Sequence, residues 1–106
     1  MNTPYDSLYL FIAGEWIGAQ GRETAAVVNP ATETEIGRVP LATTEDLDRA
    51  LQVAQASFQV WRRTVPDQRA KILKRAAHLI LERAPHIASQ MTLEEGKPLG
   101  ESMDEV

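Results

Sequence analysis

The chain reads as α+β, with β-hairpins first and amphipathic helices after them. Three observations predict this. Up to about Leu41, β-forming runs alternate with turn clusters; beyond Thr43, apolar residues recur at helical spacing; and Gly and Pro fall where such elements must turn or stop. A chain of 106 residues fits one small domain or part of a larger one. Hydrophobic residues at 43% and charged residues at 25% are ordinary for a folded chain and too apolar for intrinsic disorder.

Residues 8–40 carry the strands and turns. Leu8-Tyr9-Leu10-Phe11-Ile12 is rich in β-formers, and Trp16-Ile17 follows the turn signal Ala13-Gly14, which predicts a hairpin. Val27-Val28 leads into the turn cluster Asn29-Pro30-Ala31-Thr32, and Ile36-Gly37-Arg38-Val39-Pro40 reads as the returning strand. The two hairpins can pair edge to edge. Since an isolated hairpin is marginal in water, they need something to lie against.

Residues 43–96 are helical. Thr43 can cap the first helix, with Asp46 three residues later in place of the usual Glu of a capping box. Leu47, Ala50, Leu51, Ala54, Phe58 and Trp61 then form one apolar stripe, with Asp48, Arg49, Gln52, Gln55 and Gln59 opposite. Phe58 and Trp61 read as core anchors rather than a stacking platform, because stacking surfaces need adjacent positive charge and exposure. Pro66 suits the first position of a second helix, with Asp67 favourable to its positive end. Ile72, Leu73, Ala76, Ala77, Leu79 and Ile80 give that helix a broad apolar face, and Arg69, Lys71, Lys74, Arg75, Glu82 and Arg83 solvate much of the rest. Pro85 breaks or kinks the run, after which Ile87, Ala88 and Met91 pattern a third piece.

Gly96 can close that piece in the left-handed conformation, Lys97 suits the negative end of its dipole, and Pro98 can open the next helix. Leu99, Met103 and Val106 begin its pattern over residues 98–106, barely two turns, so the chain reads as cut short. The apolar stripes are wide for the elements available to cover them. Exposed apolar surface is expected at Leu73, Leu79, Ile80, Ile87 and Met91.

Composition excludes several classes. A net charge of −4 argues against a nucleic-acid binder, which needs surplus Lys and Arg to displace counterions. No window reaches the ~18–20 apolar residues of a membrane-spanning helix, and Met1-Asn2-Thr3-Pro4-Tyr5-Asp6 lacks the basic and apolar regions of a secretory signal. A cytoplasmic setting is the expectation. With no cysteine, the chain has no disulfide, thiolate metal site or thiol nucleophile. His78 and His86 lack a third ligand at metal-site spacing and read as surface or helix-packing residues. Glu94 and Glu95 are adjacent on a helix and point apart, so they do not form an acid–base dyad.

Taken together, the hairpin Phe11-Ile12-Ala13-Gly14-Glu15-Trp16, the turn Asn29-Pro30-Ala31-Thr32, the strand Ile36 to Pro40, the helix Ala54 to Trp61, the Arg69 to Leu73 segment, and Thr92-Leu93-Glu94-Glu95-Gly96-Lys97-Pro98 resemble, in order, the N-terminal part of the aldehyde dehydrogenase superfamily. The likeness covers all but the first seven residues and is greatest to the NAD(P)-dependent succinate-semialdehyde dehydrogenase group. It implies that residues 1–106 are an incomplete portion of the α/β aldehyde dehydrogenase fold, with NAD or NADP and homo-oligomers belonging to the full-length enzyme. Family chemistry adds a Cys thiolate to the aldehyde carbonyl, passes hydride to nicotinamide, and hydrolyses the thioester with water activated by a Glu. No residue of this chain matches those parts, so no catalytic and no cofactor-binding residue is assigned.

The resemblance also implies one site. Some members hold a monovalent cation between strand carbonyls and a helix-end carboxylate, positions that align with Val27, Val28 and Glu94, and oxygen ligands of this kind suit a hard cation. The plainer alternative is that Glu94 is a solvated acid near a helix end, where the dipole disfavours it. Where the family often has Gly after the Asn-Pro-Ala-Thr turn, this chain has Glu33. Either the turn differs, or Glu33 accepts left-handed strain of about 1 kcal/mol or more.

The leading functional expectation is therefore a structural segment of an NAD(P)-dependent aldehyde dehydrogenase, inactive alone, whose partner is the rest of that chain. A non-enzymatic interaction module, binding subunits through the same apolar stripe, is the alternative. A nucleic-acid-binding helical domain is a third reading that the charge opposes.

Overall fold

The computed structural model describes residues 4–106. The readings of Met1, Asn2 and Thr3 lie outside them. Two β-hairpins precede four helices, as the α+β reading expects. β1 (Leu10–Ile12) and β2 (Glu15–Ile17) are antiparallel, with Phe11 opposite Trp16. Their connecting residues Ala13 and Gly14 both take positive φ, 55° and 78°, the geometry whose twist matches flanking strands. β3 (Thr24–Asn29) pairs with β4 (Thr34–Pro40), with a register irregularity at Val27/Val28. Val27 faces Gly37 and Val28 faces Glu35, so Ile36 is the extra residue of a bulge.

The hairpins do not pair with each other; they form two separate two-stranded sheets. Each finds a helix instead. α1 (Thr44–Trp61) packs on β1, and α3 (Ala84–Glu95) packs on β3. Covering a strand's apolar face with a helix removes more surface from water than a ladder between three-residue edges would.

The helix boundaries follow the signals in the chain. Thr43 and Asp46 form a reciprocal capping box, the Asp46 N–H donating to Thr43 Oγ1 at 3.2 Å and the Thr43 N–H donating to Asp46 Oδ2 at 2.9 Å. α2 (Pro66–Glu82) begins on its proline. Arg83 then leaves helical geometry (φ −100°, ψ 4°), and Pro85 sits in the first turn of α3, where its missing N–H costs nothing. Gly96 closes α3 at φ 75°, and α4 (Leu99–Glu105) starts after Pro98.

The buried set is small, comprising Ile12, Pro40, Asp46, Ala84, Ala88, Ser89 and Ser102. It lies where α3 meets α4 and where the hairpins meet helices. Thr92 and Ser102 share a hydroxyl hydrogen bond of 2.9 Å across the α3–α4 contact.

The stripe on α1 is not core. Phe58 is 54% exposed, Leu51 62%, and Trp61 also lies open, because no element among the described residues covers that face. The core-anchor reading of Phe58 and Trp61 is thus corrected. Arg62 instead lies over the Phe58 ring at 5.8 Å. Leu73 and Ile80 are exposed as expected, whereas Leu79, Ile87 and Met91 are half-buried, the last two on a helix that has found β3 and α4.

The whole is open. Its radius of gyration is 17.1 Å, against about 13 Å for a compact domain of this length. Its accessible surface is 8039 Å², where a compact monomer of the same mass shows roughly 5,900 Å².

Candidate functional site

Val27 and Val28 lie on β3 beside the bulge, and Glu94 lies in the last turn of α3. The packing of α3 on β3 places the helix carrying Glu94 against the strand carrying the two valines. Gly96 fixes the end of this contact. A Cβ on Gly96 would stand 2.8 Å from Pro30 Cγ, so the helix cap can approach the turn after β3 only as glycine. The turn itself is closed by Asn29, whose Oδ1 accepts the Ala31 N–H at 2.9 Å. Glu33 stands at φ 58°, so the second of the two expectations for this residue holds.

Glu94 Oε1 accepts the hydroxyl of Tyr5, and its second oxygen has no hydrogen-bond partner among the described residues. The Tyr5 ring rests on Gly37, where a Cβ would meet it at 2.8 Å. Tyr5 thus spans from Glu94 to the cross-strand partner of Val27. Burial, with the Glu94 carboxylate beside it, pushes the phenol up to about 12. Sequence reasoning set Tyr5 aside with the other leading residues. The available signal was polar spacing on α3, where His86, Gln90 and Glu94 follow one another every four residues.

Other titratable groups have structural partners. Arg22 donates to both Asp46 oxygens, and together with the Thr43 cap this holds the carboxyl well below its usual range. Lys97 contacts Glu105 and lies 2.8 Å from Glu95, which pushes its ammonium up to about 12. Glu94 and Glu95 accordingly serve different partners and do not form a dyad.

His78 Nε2 is 3.1 Å from Glu82 and His86 Nε2 is 2.6 Å from Asp6, each histidine in its own pair. No group of three His, Cys, Asp or Glu that could hold a metal ion occurs among the described residues. An open cleft of about 690 Å³ is lined by Ser57, Phe58, Val60, Trp61 and Thr64. Its two hydroxyls have no acid, imidazole or amine in the lining to activate them. Among the described residues, no helix is long and apolar enough to cross a membrane.

Comparison with known proteins matches residues 16–106 to the aldehyde dehydrogenase family. The chain is 39% identical over 104 residues to a malonate-semialdehyde dehydrogenase from Bacillus pumilus, covering 98% of this chain and 21% of that protein. Its fold is similar to succinate-semialdehyde dehydrogenase from Burkholderia pseudomallei, with a TM-score of 0.87 and 34% identity over 99% of this chain and 22% of that one. It is also similar to a double mutant of betaine aldehyde dehydrogenase from Staphylococcus aureus in complex with NAD+, with a TM-score of 0.83 and 31% identity over 90% of this chain and 19% of that one. The chain therefore spans about a fifth of the length of the relatives it matches.

Proposed function

The chain belongs to the aldehyde dehydrogenase family, and from that premise we propose that it supplies the amino-terminal structural segment of an NAD(P)-dependent enzyme oxidising a short semialdehyde to its carboxylic acid. The observation that carries this reading is the open apolar face of α1 and α2, in a fold whose total surface lies roughly 2,000 Å² above that of a compact monomer. In this reading the rest of the enzyme covers that face. Residues 8–40 frame, and residues 43–96 flank, the body that holds the nucleotide, and residues 98–106 lead towards it. NAD or NADP, bound by that body, would accept the hydride; this chain's own part is to shape and seal the fold around it.

The substrate class rests on the malonate- and succinate-semialdehyde relatives, whose named aldehydes are short and carry a carboxylate. The test is a steady-state assay of the complete polypeptide with both semialdehydes, an unsubstituted aldehyde of similar length, and both nucleotides. Preference for an aldehyde lacking a carboxylate would overturn the substrate class. The 106-residue chain alone is expected to give no aldehyde-dependent reduction of NAD(P). A stand-alone interaction module is not favoured, because a fold this open does not enclose its own apolar faces.

The same reading places a monovalent cation between the main-chain carbonyls of Val27 and Val28 and the carboxylate of Glu94. The α3–β3 packing, the bulge at these valines and the carboxylate that Glu94 brings to the end of the same helix support it. Potassium chloride, set against choline chloride, is expected to raise the melting temperature of the complete protein. Glu94→Gln is expected to abolish the rise.

A further inference from the structure

His86, Gln90 and Glu94 share one face of α3, and each grips the segment Pro4–Asp6. The Gln90 side chain works in both directions. Its amide donates to the Pro4 carbonyl at 3.2 Å, and its carbonyl oxygen accepts the Asp6 N–H at 2.9 Å. Asp6 Oδ2 lies 2.6 Å from His86 Nε2, and the Tyr5 hydroxyl donates to Glu94. The Tyr5 ring fills the notch over Gly37 on β4, so three short residues join helix to sheet.

The character of these contacts matters. The Asp6 and His86 side chains are both more than half exposed, and exposed polar pairs contribute little individually. No ladder of main-chain bonds holds this segment, as it lies outside β1 and every other strand. It can therefore open without disturbing the β3–β4 pairing. Opening frees Glu94 from its only hydrogen-bond donor among the described residues.

We propose that Pro4–Asp6 is a detachable clasp that closes over the His86–Gln90–Glu94 face and, through the Tyr5 hydroxyl, competes with a monovalent cation for Glu94. The clasp stands on the contacts above; the competition rests also on the cation reading of the preceding subsection.

Two measurements on the complete protein separate these claims. The first is amide exchange at Asp6. In the wild type this amide is protected, and Gln90→Leu accelerates its exchange by about tenfold, while the amides of the β3–β4 ladder keep their rates. Exchange at the free-peptide rate in the wild type overturns the clasp. Equal acceleration of Asp6 and ladder amides in Gln90→Leu shows one cooperative unit and overturns it as well.

The second is the potassium midpoint for thermal stabilisation, against choline chloride. Tyr5→Phe keeps the ring on Gly37 and removes the hydroxyl, so the midpoint is expected to fall by about threefold, as expected when a competing donor is lost. An unchanged midpoint in Tyr5→Phe overturns the competition. Absence of any potassium response in wild type and Glu94→Gln alike overturns the cation reading and the competition with it, and Asp6 protection then reports on the clasp alone.

Discussion

Glu33 at φ 58° stores strain that glycine would not. Left-handed backbone costs a non-glycine residue about 1–2 kcal/mol, and glycine returns part of that by losing more freedom on folding. Glu33→Gly is therefore expected to stabilise the protein by about 0.5 kcal/mol, measured as a higher denaturation midpoint. Gly96 is the reverse case. Gly96→Ala meets both a left-handed φ of 75° and Pro30 Cγ at 2.8 Å, and should cost about 2 kcal/mol or more. Asp46 carries a pH dependence. Its carboxyl is depressed by Arg22 and by the Thr43 cap, so its contribution is complete above the ordinary carboxyl range and is lost as pH falls towards the folded value. The gap in melting temperature between wild type and Asp46→Asn is expected to be wide at pH 7 and to narrow steadily below about pH 4.

The α2–α3 break shows how an element's end is written locally. Arg83 leaves helical geometry and Pro85 occupies the first turn of α3, so the proline starts a helix rather than interrupting one. Pro85→Ala should accordingly change stability by less than about 1 kcal/mol, the range of unfolded-state entropy. A gain of about 3 kcal/mol would mark an interior proline instead. This boundary, the Thr43–Asp46 box and the Gly96 stop were all legible in the chain, because each is decided by neighbours within four residues. The bulge at Val27/Val28 was not, since the surplus residue is fixed by how β4 must meet β3. The separation of the hairpins was also hidden, because it depends on which distant helix each one packs against. The Pro4–Asp6 contacts lay further from reach, joining residues at least 80 apart through polar side chains.

Fold class and family were readable from ordered turn, cap and stripe signals along nearly the full length. The candidate cation site was readable only by resemblance, since main-chain carbonyls leave no side-chain signature. The chain announced the open apolar surface of α2, at Leu73 and Ile80, but concealed that the α1 stripe at Phe58 and Trp61 would lie open as well, and together these faces set the behaviour of the molecule in isolation. The 106-residue chain should bind an apolar-surface dye and self-associate. Leu51→Glu with Leu73→Glu should suppress both in the isolated chain, while abolishing activity in the complete enzyme. Activity surviving that double substitution would contradict coverage of this face.

The described fold measures 48 × 34 × 16 Å along its principal axes, so it is a slab little thicker than a helix laid on a strand pair. In such a slab most charges lie close to bulk water, whose high dielectric constant mutes the exposed ion pairs, the part-buried Arg22–Asp46 pair apart. The Arg49–Glu15 contact, at 3.1 Å and half-open to solvent, is among the muted ones. Any pair enclosed when another layer settles on the slab would strengthen as its surroundings lose polarisability. Electrostatic order in this part of the protein would then arrive with assembly, and raised ionic strength should weaken Arg49–Glu15 far more in the isolated slab than enclosed pairs in the assembled protein.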